Sequence, residues 1–329
     1  MWIALSIRHR SITLPSIANP ALEVGGLWGE SKSQGLTLLG PIGRSHLARF
    51  IDVDCGPDAS RSIVATQARM ADAGLRFPIV AKPDRSYGGW GVRVVCNGSE
   101  LSDYLVALPA GARALLQEIV PSTHEAGIFY LRRPGDKHGR VVSLALVLPP
   151  HVVGDGRRST AQLVEADKYQ QKNSKIYREC NPSVWHDVPS EGEIRALTMT
   201  RSARLGAVYK DATHLLTPDL ERRIDAISGE FPGFYFGRFD VRFEKIDSFL
   251  QGDDFKIVEV NGAGAEMLHI WDGATGLRAA YRALWWQYRS LFAIAHAMRA
   301  HGHRPVTVRR LLQLWIEQES LRRTYPSSM

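Results

Sequence analysis

Two short runs hold the residues most able to do chemistry: YFGRFDVRFE, starting at Tyr235, and FKIVEVNGAGAE, starting at Phe255. Both alternate as strands do, and strand side chains point to opposite faces in turn. Arg238, Asp240 and Arg242 therefore share one face of the first run, and Glu259 and Asn261 share one face of the second. If the two strands pair, Asp240, Glu259 and Asn261 converge beside Arg238. Three hard oxygen donors next to a guanidinium can hold Mg²⁺ on a polyphosphate. The plainer alternative is a pair of amphipathic strands whose charged faces meet water. Taken alone, the two runs leave both readings open.

The preceding chain supplies what such a site needs. Residues 77–82 (FPIVAK) read as a buried strand ending on Lys82, and PDRSYGGWGVRVV follows as a glycine-rich turn and another strand. Gly88, Gly89 and Gly91 remove side chains from that turn, so backbone N–H groups can approach phosphate oxygens. It is not a Walker loop, because neither GK[ST] nor a helix start follows; a tight hairpin without a ligand fits the same residues. Residues 114–120 (ALLQEIV) read as a strand that carries Glu118 and closes on Pro121, and Glu125 lies seven residues beyond Glu118. The loop VVGDGRRST presents Arg157 and Arg158 either to an anion or, as a hairpin tip, to water.

The elements that must position these residues alternate along the chain. Residues 19–41 suggest a loop leading into a short helix, and 49–54 a strand. Residues 58–74 suggest a helix with Asp58 as N-cap and Gly74 at its end. A helix is expected at 99–108, antiparallel strands at 126–132 and 139–148, and a helix with an irregular loop over 162–181. A short strand at 207–209 precedes a helix over 217–230, where Thr217 is the N-cap and Pro218 the first helical residue. Long helices are expected at 277–300 and 306–321, with a loose tail from Arg322. Mixed short strands and helices indicate α+β or α/β subdomains.

Composition narrows the function classes. The chain has 329 residues and a formal charge of +7, enough for two or three packed subdomains and a modest attraction for anions. Its basic residues are scattered, with neither the basic stripe nor the stacking aromatics of a nucleic-acid module, so no nucleic-acid partner is expected. Cys55, Cys96 and Cys180 lie far apart, without metal-ligand or disulfide-framework spacing. That pattern and the lack of a signal-peptide core suit a cytoplasmic setting. No apolar run reaches the ~18 residues of a membrane span. Trp285, Trp286, Arg289, Phe292 and Trp315 would either pack on the body of the protein or form a membrane-surface or homodimer patch. His296, His301 and His303 read as helix and cap residues rather than metal ligands.

The order of these pieces carries a resemblance. A strand ending in lysine, a glycine-rich hairpin, a strand with QE, a glutamate seven residues on, GRFDV and EVN follow one another in the chain. This order resembles the ATP-grasp superfamily, and within it the D-alanine–D-alanine ligase and cyanophycin-synthetase branches, over roughly residues 26–271. The phrases GESKS, RFPIVAKPD, EAGIFYLRRPG, VVGDGRRST and EVNGAGAE also look like a group of ligase-like bacterial proteins. The resemblance implies an α+β (α/β) ATP-grasp fold in which two α+β subdomains grip ATP. It divides the chain into a shortened N-terminal segment (1–76), the ATP-grasp domain (77–275, halves about 77–150 and 151–275) and a C-terminal helical extension (276–329).

The same resemblance implies roles. Lys82 matches the lysine that reaches the nucleotide phosphates, and Lys32 an earlier phosphate-contacting lysine. Gly88, Gly89 and Gly91 lie in the flap over the phosphates, Glu118 begins the hinge that holds adenine, and Glu125 matches the ribose-binding carboxylate. Asp240, Glu259 and Asn261 match the magnesium ligands, and Arg238 the arginine that stabilises the reacting acyl group. Pro121 has no N–H, so the donor to adenine moves to a neighbour such as Val120. The implied activity is an ATP-dependent carboxylate–amine ligase working through an acylphosphate. It would use ATP with two Mg²⁺ (or Mn²⁺) and small carboxylate and amine substrates of amino-acid or peptide type. The segment before Lys82 is shorter than the family's usual preceding domain, so no substrate residues carry over. The alternatives are a small-molecule kinase of the same fold and a non-catalytic nucleotide-binding module.

Overall fold

Alternating burial builds the sheet that carries the charged residues. Along FGRFDVRF, Gly237, Phe239, Val241 and Phe243 are buried, while Arg238, Asp240 and Arg242 are half-buried on the opposite face. The computed structural model describes residues 1–56, 63–122 and 124–328; the Asp58 cap expected from the sequence lies outside them. A first sheet joins β1 (Phe50–Asp54), β2 (Ile79–Pro83), β3 (Arg93–Val95) and β4 (Arg113–Glu118), all antiparallel, in the order β1-β4-β2-β3. β1 precedes residue 77, so this sheet spans the boundary expected there.

Next along the chain come β5 (His124–Leu131) and β6 (Arg140–Leu148), then a ribbon of β7 (His151–Val153) with β8 (Ile194–Ala196). β9 (Val208–Asp211), β10 (Phe236–Phe243) and β11 (Phe255–Asn261) complete a second antiparallel sheet, ordered β11-β10-β5-β6-β9.

Each sheet buries one face under helices. Met70 of the Ile63–Asp72 helix and Leu101, Tyr104 and Leu105 of the Gly98–Ala107 helix pack with Ile79 and Leu116 of the first sheet. The second of these helices is capped by the Asn97 side chain, which accepts from the Glu100 N–H. The Pro218–Glu230 helix starts as its sequence predicts, with Thr217 accepting from Leu220 N–H, and lays Leu220, Ile224 and Ile227 against the second sheet. The Leu277–Ala300 helix buries Leu291, Phe292, Ile294 and Ala295 with Leu14, Phe129 and Phe236. Phe292 is therefore core, whereas Trp285, Trp286 and Trp315 keep 37%, 44% and 47% of their surface. Among the described residues no helix is long and apolar enough to cross a membrane.

Several local expectations change. The interval between β10 and β11, two runs read from the sequence only as strands that could pair, holds a short helix, Ile246–Leu250. Residues 160–180 contain two α-helices, Thr160–Ala166 and Ser174–Cys180, with a 3-10 helix, Gln170–Asn173, between them. At the tip after β7, Asp155 accepts from the Arg157 and Arg158 amides and pairs with the Arg158 guanidinium, an exposed turn closed on itself. The last helix runs Val308–Thr324, beyond residue 321, and the segment after it is not loose: Ser328 is 2% exposed.

Candidate functional site

β10 and β11 pair antiparallel, with Arg238 opposite Asn261 and Asp240 opposite Glu259. The register then slips, since Val241 opposes Ile257 and leaves Val258 as an extra residue. Such a bulge re-aims the chain. The Val258 carbonyl accepts from Lys82 Nζ at 3.2 Å and from Gln117 Nε2 at 3.3 Å, both on the first sheet. One irregularity in β11 thus ties the strand ending in lysine to the strand bearing Glu259.

The polar face of this strand pair is an interlocked charge array. Arg238 grips Asp240 with two bonds, Nε to Oδ1 at 2.6 Å and Nη2 to Oδ2 at 3.0 Å, and its Nη1 donates to the Glu266 carbonyl at 3.1 Å. Asn261 Nδ2 donates to Asp240 Oδ2 at 2.8 Å. Glu259 lies 3.3 Å from Lys32 Nζ. Burial pushes the Glu259 carboxyl up, but Lys32, Lys82 and Arg238 outweigh it and hold the group below its ordinary range. Lys82 shows the converse: burial lowers its ammonium to about 8, against the pull of Glu259. Lys32 opens the helix Lys32–Thr37, whose N-cap Ser31 accepts from Gln34 N–H, and its Nζ donates to the Ser86 carbonyl.

These residues line one cleft of about 540 Å³ between the two sheets, together with Gly88, Gly89, Glu118, Val120 and Glu125. Glu118 is held by Arg49, whose Nε lies at 2.6 Å. Glu125 is held by Arg242 at 3.0 Å, with Arg201 at 3.8 Å; burial raises its pKa against both arginines. Gly91 departs from expectation, because it lies outside the cleft lining. Its φ of +73° suits glycine, a Cβ there would meet Pro83 Cγ at 2.7 Å, and its carbonyl accepts from Tyr104 at 2.9 Å. It shapes the turn from below, while Gly88 and Gly89 face the cleft.

Sequence reasoning missed other lining residues. Glu30 reaches Gly262, the residue after Asn261, where two glycine backbones meet: a Cβ on Gly262 would come within 2.7 Å of the Gly26 Cα. Ala263 N–H and Gly264 N–H donate to the carbonyls of Gly25 and Gly26, and Glu30 accepts from Gly262 N–H at 3.3 Å. Burial, partly offset by Lys32, raises the Glu30 carboxyl to about 7. The paired glycines at 25 and 26 were visible in the sequence, but nothing local marks what they pack against. From the other side, residues 199–204 line the cleft beneath the glycine-rich loop. Thr200 Oγ1, Ser202 Oγ and Trp28 Nε1 are buried there without a hydrogen-bond partner among the described residues. Buried polar groups are ordinarily paired, and these three stand without a protein partner in residues that line the cleft.

Two antiparallel sheets grip a cleft whose lysines, carboxylates and glycine loop follow the order read from the sequence. No protein-family model matches the chain, and no curated protein matches it. Among solved structures it is similar to a bifunctional glutathione synthetase from Pasteurella multocida (14% identity, TM-score 0.41), covering 81% of this chain and 38% of that one. It is also similar to a D-Ala:D-Ser ligase from Enterococcus faecalis (12% identity, TM-score 0.42), covering 83% and 64%. The chain thus spans less than two thirds of either enzyme, and at these scores the likenesses carry no argument of their own.

The donor set suits Mg²⁺ in kind, since Asp240, Glu259 and Asn261 offer only oxygen ligands. Among the described residues no group of three or more His, Cys, Asp and Glu is arranged to hold a metal alone. For Mg²⁺ this is the ordinary case, because it takes one or two carboxylates and completes its shell with substrate phosphates and water.

Proposed function

We propose that this protein is an ATP-dependent carboxylate–amine ligase of the ATP-grasp type, forming an amide or peptide bond through an acylphosphate and releasing ADP and phosphate. The observation that carries the reading is the meeting of Lys32, Lys82, Arg238, Asp240, Glu259 and Asn261 in one cleft beside a glycine-rich loop. A carboxylate and an amine do not condense in water, because the carboxylate resists attack and has no good leaving group. Transfer of the γ-phosphoryl group to the carboxylate supplies that leaving group, and the transfer needs charge neutralisation and alignment more than covalent help.

The residues divide this work. Lys82 and Lys32 are point charges for phosphate oxygens, and the backbone at Gly88 and Gly89 with the hydroxyls of Thr200 and Ser202 covers the phosphates. Magnesium or manganese ions at Asp240, Glu259 and Asn261 would neutralise the charge that builds on the phosphates. Glu118 and Val120 border the adenine, and Glu125 faces the ribose. Arg238, braced by Asp240, stabilises the oxyanion that forms when the amine attacks the acylphosphate. Closure of the loop keeps water from hydrolysing that intermediate. Free thiols at Cys55, Cys96 and Cys180 suit a reducing, cytoplasmic setting.

The test is ADP release from ATP and Mg²⁺ against a panel of amino acids and dipeptides. ADP should form only with a suitable carboxylate and amine together, and Asp240→Asn or Glu259→Gln should abolish it. Turnover left intact in those variants removes the site assignment. A stable phosphorylated product without a joined amine would indicate a kinase, and nucleotide binding without turnover a sensing module.

A further inference from the structure

The segment 318–328 touches the glycine-rich loop and its margins at Arg85, Tyr87, Gly89, Trp90 and Arg93. Tyr87 donates to Glu319 at 2.5 Å, and Tyr325 donates to the Arg85 carbonyl at 2.9 Å. Arg93, where the loop re-enters its sheet, bonds the Ser327 carbonyl at 2.8 Å and the Ser327 hydroxyl at 3.0 Å. Ser328 Oγ donates to the Gly89 carbonyl at 2.6 Å. Two guanidinium groups stack over the Trp90 ring, Arg204 at 4.0 Å and Arg322 at 5.0 Å from its centroid.

Arg204 joins this array from the opposite wall. Its Nε donates to the Gly88 carbonyl at 3.0 Å, and its Nη2 donates both to the Gly89 carbonyl at 3.2 Å and to Ser328 Oγ at 2.8 Å. The carbonyls of Gly88 and Gly89 are therefore taken up by Arg204 and Ser328. Gln318, from the same helix, lines the cleft itself.

We infer that residues 318–328 are a latch that holds the glycine-rich loop down against Arg204, so that a polyphosphate nucleotide enters and leaves only when the latch lets go. Tyr325, Ser327, Ser328 and Arg204 act as positioning residues for the loop. Their bonds run to backbone carbonyls and to side chains at the loop's margins, which makes closure independent of loop side chains that the glycines lack. The latch rests on the proposed nucleotide site for its function, but its physical claim concerns loop motion alone.

The test uses the full chain carrying Tyr325→Phe and Ser328→Ala together, with Arg93→Lys as a milder second variant. Amide hydrogen exchange of residues 84–95 is measured first without nucleotide. Loss of three hydrogen bonds, Tyr325 to Arg85, Ser328 to Gly89 and Arg204 to Ser328, should speed exchange there by about tenfold, with residues 113–118 unchanged; Arg93→Lys should give a smaller increase in the same peptides. Stopped-flow binding of a fluorescent ATP analogue with Mg²⁺ is measured second. Association and dissociation should both accelerate, with the dissociation constant moving less than either rate. Unchanged exchange in both variants, or faster exchange with unchanged binding rates, overturns the latch. If neither wild type nor variant binds the analogue, the nucleotide reading fails while exchange still decides whether the segment restrains the loop.

Discussion

The floor and the roof of the cleft are built on opposite plans. On the floor, β10 and β11 bring Arg238, Asp240, Glu259 and Asn261 together by strand pairing, and Arg238 and Asn261 both bond Asp240. On the roof, Gly88 and Gly89 are held by Arg204 and Ser328, residues more than a hundred positions away. Hydroxyls beneath them, on Thr200 and Ser202, have no partner among the described residues. A floor whose charges are fixed before substrate arrives suits electrostatic stabilisation, which gains most from groups that need not reorganise. A roof with unmet hydrogen bonds and remote anchors suits a part that closes on its ligand.

Variants on the two sides should fail differently. Arg238→Lys keeps the charge but loses the two-pronged grip on Asp240, so ADP formation should fall by ~10²–10³ in kcat with a much smaller change in ATP affinity. Steady-state kinetics beside calorimetric ATP binding separates the two effects, and a loss confined to affinity would count against the floor's assigned role. Lys82→Met should weaken ATP binding by ~10–100-fold, the scale of a hydrogen bond to a charged group. Wild-type affinity should also fall as pH rises through about 8, where the buried ammonium gives up its proton, and the Met variant should lack that step. On the roof, Gly89 has φ +72° and a Cβ there would meet Thr200 Cγ2 at 2.8 Å. Gly89→Ala should therefore lift the loop and weaken ATP binding by about tenfold, with the melting temperature little changed. An equal loss of stability would mean that the loop is structural and not a moving part.

The same contrast explains what could be read from the sequence. The floor was legible because alternation in FGRFDVRF and FKIVEVN fixes which side chains share a face, and pairing then brings the faces together. The bulge at Val258 was not legible, since one extra residue leaves no mark on a seven-residue pattern. The roof's glycines were legible as a turn, but Gly91 could not be told from Gly88 and Gly89, because only packing against Pro83 and Tyr104 turns it away from the cleft. Arg204, Thr200 and Ser202 lie in a stretch without periodicity. The tail from Arg322 reads as loose because the order of its last residues comes from hydrogen bonds to the loop and not from its own composition. Glu30 was hidden in the same way, set by the approach of Gly26 to Gly262.

Glu30 gives the smallest expected effect and the one least dependent on substrate. Its folded-state pKa of about 7 lies above the ordinary glutamate value of 4.5, so the folded protein holds this proton more tightly than the unfolded chain. The stabilisation from the neutral acid is complete below about 4.5 and is lost as pH rises through about 7. Thermal melts between pH 5 and 8 should show a decline in the wild type that Glu30→Gln flattens; parallel profiles would mean that Glu30 is already ionised in the folded protein.

The most direct measurement is calorimetric ATP binding with and without Mg²⁺, in the wild type and in an Asp240→Asn/Glu259→Gln variant that retains its circular dichroism spectrum. The account predicts that Mg²⁺ tightens binding at least tenfold in the wild type and has little effect in the variant. Absence of ATP binding, or the same Mg²⁺ response in both proteins, would contradict it.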